Sequence, residues 1–340
     1  MLKKTIVLLL ILTISATLIT GCYDAKEIDD EVYAISVGVD KGISNKVRLT
    51  IQFPIYKSGS DSESKKGSTG AEIKNVQSGS VVHTIEAPTM LEGMDMFSMA
   101  ISRRVSLMHA KWIIFSEDYA KEGIEGYMAG LERFKETRTS MSILITRGTA
   151  EDFIKEYQSS IGESLSKSIE LLLAQSNSTG FFPKVKFLDF YTSMLSPYKC
   201  PIALYGGVNN FEPKTSIIND ASEIVSRKGL LPGELPRTGI AKRELAGLAV
   251  FQGGKMVGYM DAYETAAYLM IIGEFNRGKI SLPDKYSTKD AIVFDVNRSR
   301  NTKVVAHFKD GKPVIDLDIK LEAEPSNIEA TANIRPGTAI

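Results

Sequence analysis

Residues 107–154 read LMHAKWIIFSEDYAKEGIEGYMAGLERFKETRTSMSILITRGTAEDFI, and the spacing of their apolar residues changes from one segment to the next. The run "LMHAKWIIFSE" is nearly continuous in apolar residues around the sole tryptophan, Trp112, the pattern of a buried strand. The period then lengthens, and Ile124, Tyr127, Leu131 and Phe134 fall on one side of a helix. It shortens again in "TSMSILITRG", where Met141, Ile143 and Ile145 alternate along a strand. Thr149 and Asp152 form a T-x-x-D start for a further helix, "AEDFIKEYQ". Strands and helices in alternation predict a domain of mixed α and β.

Upstream, Thr84 to Ile101 carries Met90, Met94, Phe97 and Ile101 at spacings of 4, 3 and 4, one helical face. Its methionines suit core packing or an adaptable binding surface. Residues 57–71, "KSGSDSESKKGSTGA", are polar but for a final alanine and predict a flexible solvated loop. Before them, "EIDDEVYAISVGVDKG" and "KVRLTIQFPIY" read as two strands that pair antiparallel. In the second, Val47, Leu49, Ile51 and Phe53 alternate with Arg48, Thr50 and Gln52, which predicts one buried and one wet face.

Downstream, a helix over Glu163–Gln175 groups Leu165, Ile169 and Leu172, and "SNSTGFFPKV" ends the pattern. Turn formers, with Pro232 and Pro236 among them, then predict a junction. Beyond it Gly253-Gly254 signals a hairpin, Asp261 and Glu264 a capping box, and the helix to Ile272 follows. The strands "GKISL", "AIVFDV", "TKVVAHF" and "PVIDLDIKLEA" come last, with a turn at Asp310-Gly311. In the final one Ile315, Leu317, Ile319 and Leu321 alternate with Asp316, Asp318, Lys320 and Glu322, so one face is wet and the dry one needs cover. The expected fold is multi-domain and α+β: 22–196 mixed α/β, 197–242 a linker, and 243–340 a domain with a largely antiparallel sheet, incomplete at its end.

Residues 1–21 precede these domains. Lys3 and Lys4 lead an uncharged run from Thr5 to Thr20, 16 residues long and rich in Leu, Ile and Val. A bilayer-spanning helix wants about 20 residues, whereas a secretory signal wants a shorter apolar run and a small residue at the cut. "Ile19-Thr20-Gly21-Cys22" resembles the bacterial lipobox, which implies cleavage after Gly21 and a diacylglyceryl group on Cys22. Two acyl chains hold a protein stably at a bilayer where one does not. Other readings are an uncleaved anchor or an ordinary secreted protein. Without residues 1–21 the chain has 319 residues, and 39 basic side chains face 41 acidic ones. That balance gives no pull toward nucleic acid or anionic lipid. With Cys22 lipidated, Cys200 is alone and is expected to be a small buried residue.

Catalytic signatures are absent from the sequence. His83, His109 and His307 stand far apart with no Cys/His cluster, so no metal site is indicated. No G-x-S-x-G, P-loop or G-x-G-x-x-G motif occurs, and no cofactor is implied. The acidic run Glu27, Asp29, Asp30 and Glu31 suits a solvated tether or a dock for a basic surface.

The order of landmarks resembles the Ger(x)C family of spore germination lipoproteins. "GCYDAKEIDD" after the lipobox leads to a strand ending in a G-[IV]-D-K turn, here Gly38-Val39-Asp40-Lys41. Arg104 and His109 match the family's Arg–apolar–His strand, and Glu136-Thr137-Arg138 its E-x-R turn. "AVFQGGKMVGYMDAYETAAYLMIIGEFNRG" is similar to its second landmark, and the likeness fades after about Glu324, where the family continues with a further helix and strand. The resemblance implies the C subunit of a nutrient germinant receptor, not an enzyme, lipid-anchored through Cys22 on the outer face of the inner spore membrane. Its implied partners are two integral membrane subunits. Arg104, His109, Glu136 and Arg138 are implied as structural residues or as a subunit contact. A solute-binding lipoprotein of a transporter is the competing reading, and a lipid-anchored hydrolase a third.

Overall fold

Apolar runs such as Trp112–Ser116 and Ser142–Thr146 are buried along their whole length, which requires cover on both sides of a sheet. The structure, a computed structural model, describes residues 2–17, 27–55, 76–77, 79–157, 164–212, 229–283, 291–298 and 302–328. Gly21, Cys22 and the 57–71 loop lie outside the described residues. Helix α1 (Leu2–Thr17) comes first, and among the described residues no helix is long and apolar enough to cross a membrane.

The strands and helices that follow are β1 (Glu31–Tyr33), β2 (Ser36–Lys41), β3 (Val47–Pro54), β4 (Val76–Gln77), β5 (Ser80–Ala87), α2 (Met90–Ala100), β6 (Arg104–Ser106) and β7 (Trp112–Ser116). Next are α3 (Glu117–Glu122), α4 (Glu125–Arg133), β8 (Ser142–Thr146), α5 (Ala150–Lys155), α6 (Leu165–Ala174), α7 (Ser176–Thr179), α8 (Phe187–Leu195) and β9 (Ile202–Val208). The chain continues through β10 (Arg243–Gln252), β11 (Lys255–Met260), α9 (Ala262–Ile272), β12 (Arg277–Pro283) and β13 (Ala291–Arg298) to β14 (Lys303–Lys309), β15 (Lys312–Asp318) and β16 (Leu321–Ile328).

Nine strands make one sheet in the order β11-β10-β9-β8-β7-β2-β3-β5-β4. β2, β7, β8 and β9 run parallel, and both flanks are antiparallel. Helices cover each face. Phe97 of α2, Met128 of α4 and Phe190 of α8 pack over Val37, Ile113, Ile143 and Tyr205. On the other side Phe153 of α5 and Ile169 of α6 pack over Trp112, Ile114 and Leu144. Beyond this sheet, β12, β13 and β16 form an antiparallel sheet and β14–β15 a hairpin. The protein is α+β, as its periodicities predict.

Several local expectations are corrected. β3 has no wet face: Thr50 and Gln52 are buried, because α5 covers the side on which polar residues alternate. The Thr84–Ile101 helix is a strand as far as Ala87; Pro88 disfavours helical backbone before it, and Thr89 caps α2 by accepting from the Glu92 N–H at 3.2 Å. The helix after Tyr119 is broken into α3 and α4 at Gly123, whose φ is 125°. There the Ile124 N–H donates to the Gly254 carbonyl at 2.8 Å, and a Cβ on Gly254 would lie 2.5–2.9 Å from atoms of Glu125, so only glycine permits the approach.

Within 197–242, read as a linker, β9 is an interior strand of the large sheet. Residues 243–260, assigned by sequence to the second domain, hydrogen-bond directly onto it. The side chain of Glu244 ties Asn209 and the 233–237 stretch to β10. It accepts from Arg237 Nε at 2.5 Å, Asn209 Nδ2 at 2.5 Å and the Gly233 N–H at 2.8 Å. "PVIDLDIKLEA" is not one strand, since β15 ends at Asp318 and β16 leaves to pair with β13. Asp310 and Gly311 have φ of 52° and 74°, the left-handed pair a tight hairpin needs. The β14–β15 hairpin carries its apolar side chains in the open, with Phe308 78% and Ile315 63% exposed.

At the sheet centre the Trp112 indole donates to Ser36 Oγ at 2.7 Å, Ser36 Oγ to Gln52 Oε1 at 2.9 Å, and Gln52 Nε2 to Ser80 Oγ at 3.0 Å. Gln52→Leu roughly conserves volume but takes one partner from each of two buried hydroxyls, Ser36 and Ser80, so it should destabilise the protein by about 2 kcal/mol. A fall in the urea midpoint at unchanged slope would check this.

Candidate functional site

Strand β1 is short and lies off the main sheet, where it pairs in parallel with β6: Glu31 opposes Arg104, Val32 opposes Val105 and Tyr33 opposes Ser106. Among the described residues after α1, β1 is the first strand. Arg104 Nη2 donates to Glu136 Oε1 at 2.8 Å, while Glu136 Oε2 accepts the Leu107 N–H at 3.4 Å. Glu136, in the turn after α4, is thus held by the backbone just past β6 and by the half-exposed Arg104 side chain. The His109 ring meets Tyr33 edge-on, with centroids 4.5 Å apart. Burial pushes the Tyr33 hydroxyl pKa up, and the Glu31 carboxylate adds to the rise. Three of the residues singled out by sequence, Arg104, His109 and Glu136, therefore gather around β1. Arg138 does not: it is exposed and lines a separate cleft beside Lys111. Cys200 is exposed, not buried, because the chain from α8 to β9 crosses the surface there.

The G-V-D-K motif, expected at a turn, lies within β2 and has a different task. Asp40 is buried and accepts the N–H groups of Ala150 at 2.7 Å and Glu151 at 3.0 Å, fixing the start of α5. Burial pushes its pKa up against the pull of those bonds. Next to it Arg48 Nε donates to Glu151 Oε2 at 2.6 Å and Arg48 Nη1 to Glu86 Oε1 at 3.4 Å. Glu86 also receives the N–H groups of Ile43, Ser44 and Asn45, which closes the β2–β3 turn. Burial raises the Glu151 pKa, but Arg48 and Lys155 outweigh it and bring it to about 2. Neither this network nor the next is signalled by spacing, since the partners are far apart in the chain. The Arg243 guanidinium lies 4.5 Å from the Tyr157 ring centroid, 5.1 Å from that of Trp112 and 5.6 Å from that of Phe153. Burial lowers its pKa to about 9.

These clusters tie and orient; they do not assemble a nucleophile with a base. Among the described residues no three His, Cys, Asp or Glu side chains gather as a metal site would need. What the β1 cluster offers is a fixed exit for the N-terminal segment, flanked by exposed Asp29 and Asp30.

Comparison with known proteins agrees with the landmarks. Residues 24–207 match a family model described as "Spore germination protein N-terminal domain", and 246–336 match "Spore germination B3/ GerAC like, C-terminal". The chain is 22% identical over 328 residues to spore germination protein KC of Bacillus subtilis (strain 168), covering 95% of this chain and 74% of the relative. It is 28% identical over 153 residues to putative spore germination protein YfkR of the same organism, covering 45% of this chain and 38% of that one. Among solved structures, that of the GerBC protein aligns with a TM-score of 0.39 and 16% identity, over 88% of this chain and 73% of that one.

Arg104→Gln removes the charged partner of Glu136 and should loosen β1. Exchange of the Ala34 amide, which donates to the Ser106 carbonyl at 2.9 Å, should quicken about tenfold while β7 amides hold their protection. Glu151 titrates lower in the folded chain than in the unfolded one, so its contribution is present above pH ~4.5 and is lost as pH falls toward about 2. Glu151→Gln should cost about 2 kcal/mol at pH 7 and flatten that acid limb, as read from urea unfolding at a series of pH values.

Proposed function

The chain belongs to the GerAC family of spore germination proteins, and from this we propose that it is the lipid-anchored, non-catalytic subunit of a nutrient germinant receptor. One observation carries the reading: both family segments occur in order, and the first begins at residue 24, two residues after the lipobox cysteine. In this reading Cys22 is acylated, the body sits on the outer face of the inner spore membrane, and the chain assembles with integral membrane subunits. Charge does not supply the attraction, since 39 basic side chains face 41 acidic ones after residue 21. Lipid confines the body to a plane, which raises its effective concentration for membrane partners without new contacts. The β1 cluster supports this role, because it grips the chain nine residues after Cys22.

A solute-binding lipoprotein would pair two doubly wound lobes around a cleft. The single nine-stranded mixed sheet, with antiparallel strands beyond it, speaks for the receptor subunit instead.

Cys22→Ala should move the chain from the membrane to the soluble fraction with its fold intact by circular dichroism. Nutrient-triggered dipicolinate release from spores carrying it should fall by roughly tenfold or more, while a non-nutrient trigger acts as before. Full membrane retention with normal nutrient response would sink the proposal.

A further inference from the structure

A cleft of about 300 Å³ opens between α6, the segment 138–142 and the segment 183–186. Four cations line it, Lys111, Arg138, Lys184 and Lys186, against one carboxylate, Glu170. Lys111 donates to Glu170, so that pair is internally neutral. Arg138, Lys184 and Lys186 make no ion pair among the described residues. The chain as a whole carries 41 basic and 41 acidic side chains, so three unpaired cations on one small rim are a local excess, not a reflection of composition.

The rim is also held in place. The Phe187 N–H donates to the Met141 carbonyl at 2.8 Å, and the Met141 N–H to the Arg138 carbonyl at 3.1 Å. Ser142 and Lys186 form a bridge. Arg138 and Lys186 therefore stand on backbone fixed to the start of β8, which keeps their attachment points close together. None of the three forms a pair that holds the fold. Leu173 and Leu204 supply apolar lining. Guanidinium and ammonium donors lining one cleft beside apolar side chains suit an oxyanion with a short hydrocarbon body.

We propose that this cleft binds a small multivalent oxyanion, a polycarboxylate or a phosphate, with Arg138, Lys184 and Lys186 as its ligands. The inference stands independently of the receptor reading. Isothermal titration of the full chain in uncharged detergent, at constant ionic strength, tests it with citrate, inorganic phosphate and acetate as probes. Saturable binding of citrate or phosphate, and not of acetate, is expected, and which of the two binds identifies the anion class. Arg138→Gln with Lys184→Gln should weaken that binding at least tenfold. Both side chains are exposed, so the fold should survive, as circular dichroism would verify. Glu170→Gln removes the only carboxylate and frees Lys111, so it should tighten binding by about threefold. An effect of that sign does not arise from general damage. The proposal is overturned by no saturable binding of either multivalent anion, by equal binding of acetate, by unchanged affinity in the double variant, or by weaker binding in Glu170→Gln.

Discussion

Trp112, Ser36, Gln52 and Ser80 lie in a line across β7, β2, β3 and β5, each donating to the next and all shut off from water. A buried donor or acceptor without a partner costs about 1–3 kcal/mol. Sliding any one strand by a residue would turn its member of the line to the opposite face. The line therefore fixes register where it is least obvious, at β2, which pairs in parallel with β7 and antiparallel with β3. Apolar packing marks one face of β2 and β3 through Val37, Val39, Leu49 and Ile51, and the hydrogen-bonded line marks the other.

The two ends of β2 inherit this register. At its close, Asp40 meets the first N–H groups of α5, and α5 in turn roofs Trp112 and Leu144. Before its start, the Ile35 N–H reaches the Gln52 carbonyl and the Ile35 carbonyl takes the Lys111 N–H, so the chain arrives beside β6 already oriented. The Arg104–Glu136 pair then secures a strand whose position is set from within the sheet. At the other edge, Glu244 gathers Arg237, Asn209 and the Gly233 amide against β10. A load on α9 or β11 would thus reach the sheet directly.

Much of this was legible in the residues. The fold class followed from alternating periods, the caps at Thr149 and Asp261 from their motifs, and the hairpins from Gly253-Gly254 and Asp310-Gly311. Helix α8 was missed although Phe187, Phe190, Tyr191 and Met194 have helical spacing, because the neighbouring prolines and glycines dominated the reading. Period two at β3 gave the strand but not its burial; a half-polar strand can be covered on both sides when its polar groups find one another. The site divided similarly. Motif order brought Arg104, His109 and Glu136 together, but nothing in spacing could show that Arg138 faces elsewhere. Pairs such as Arg48 with Glu151, a hundred residues apart, are properties of topology.

The pairing of β1 has a geometric consequence. From Cys22 to Glu31 the chain spans nine residue steps, and a fully stretched chain covers at most ~3.5 Å per step. Were Cys22 acylated as proposed, the point where the body is gripped could rise no more than roughly 30 Å above the lipid attachment. β1 is thus the fixed end of a short leash. Under the proposed anchoring at Cys22, surfaces close to β6 would sweep only a shallow zone over the bilayer, and a membrane partner would have to present its complementary face inside that zone.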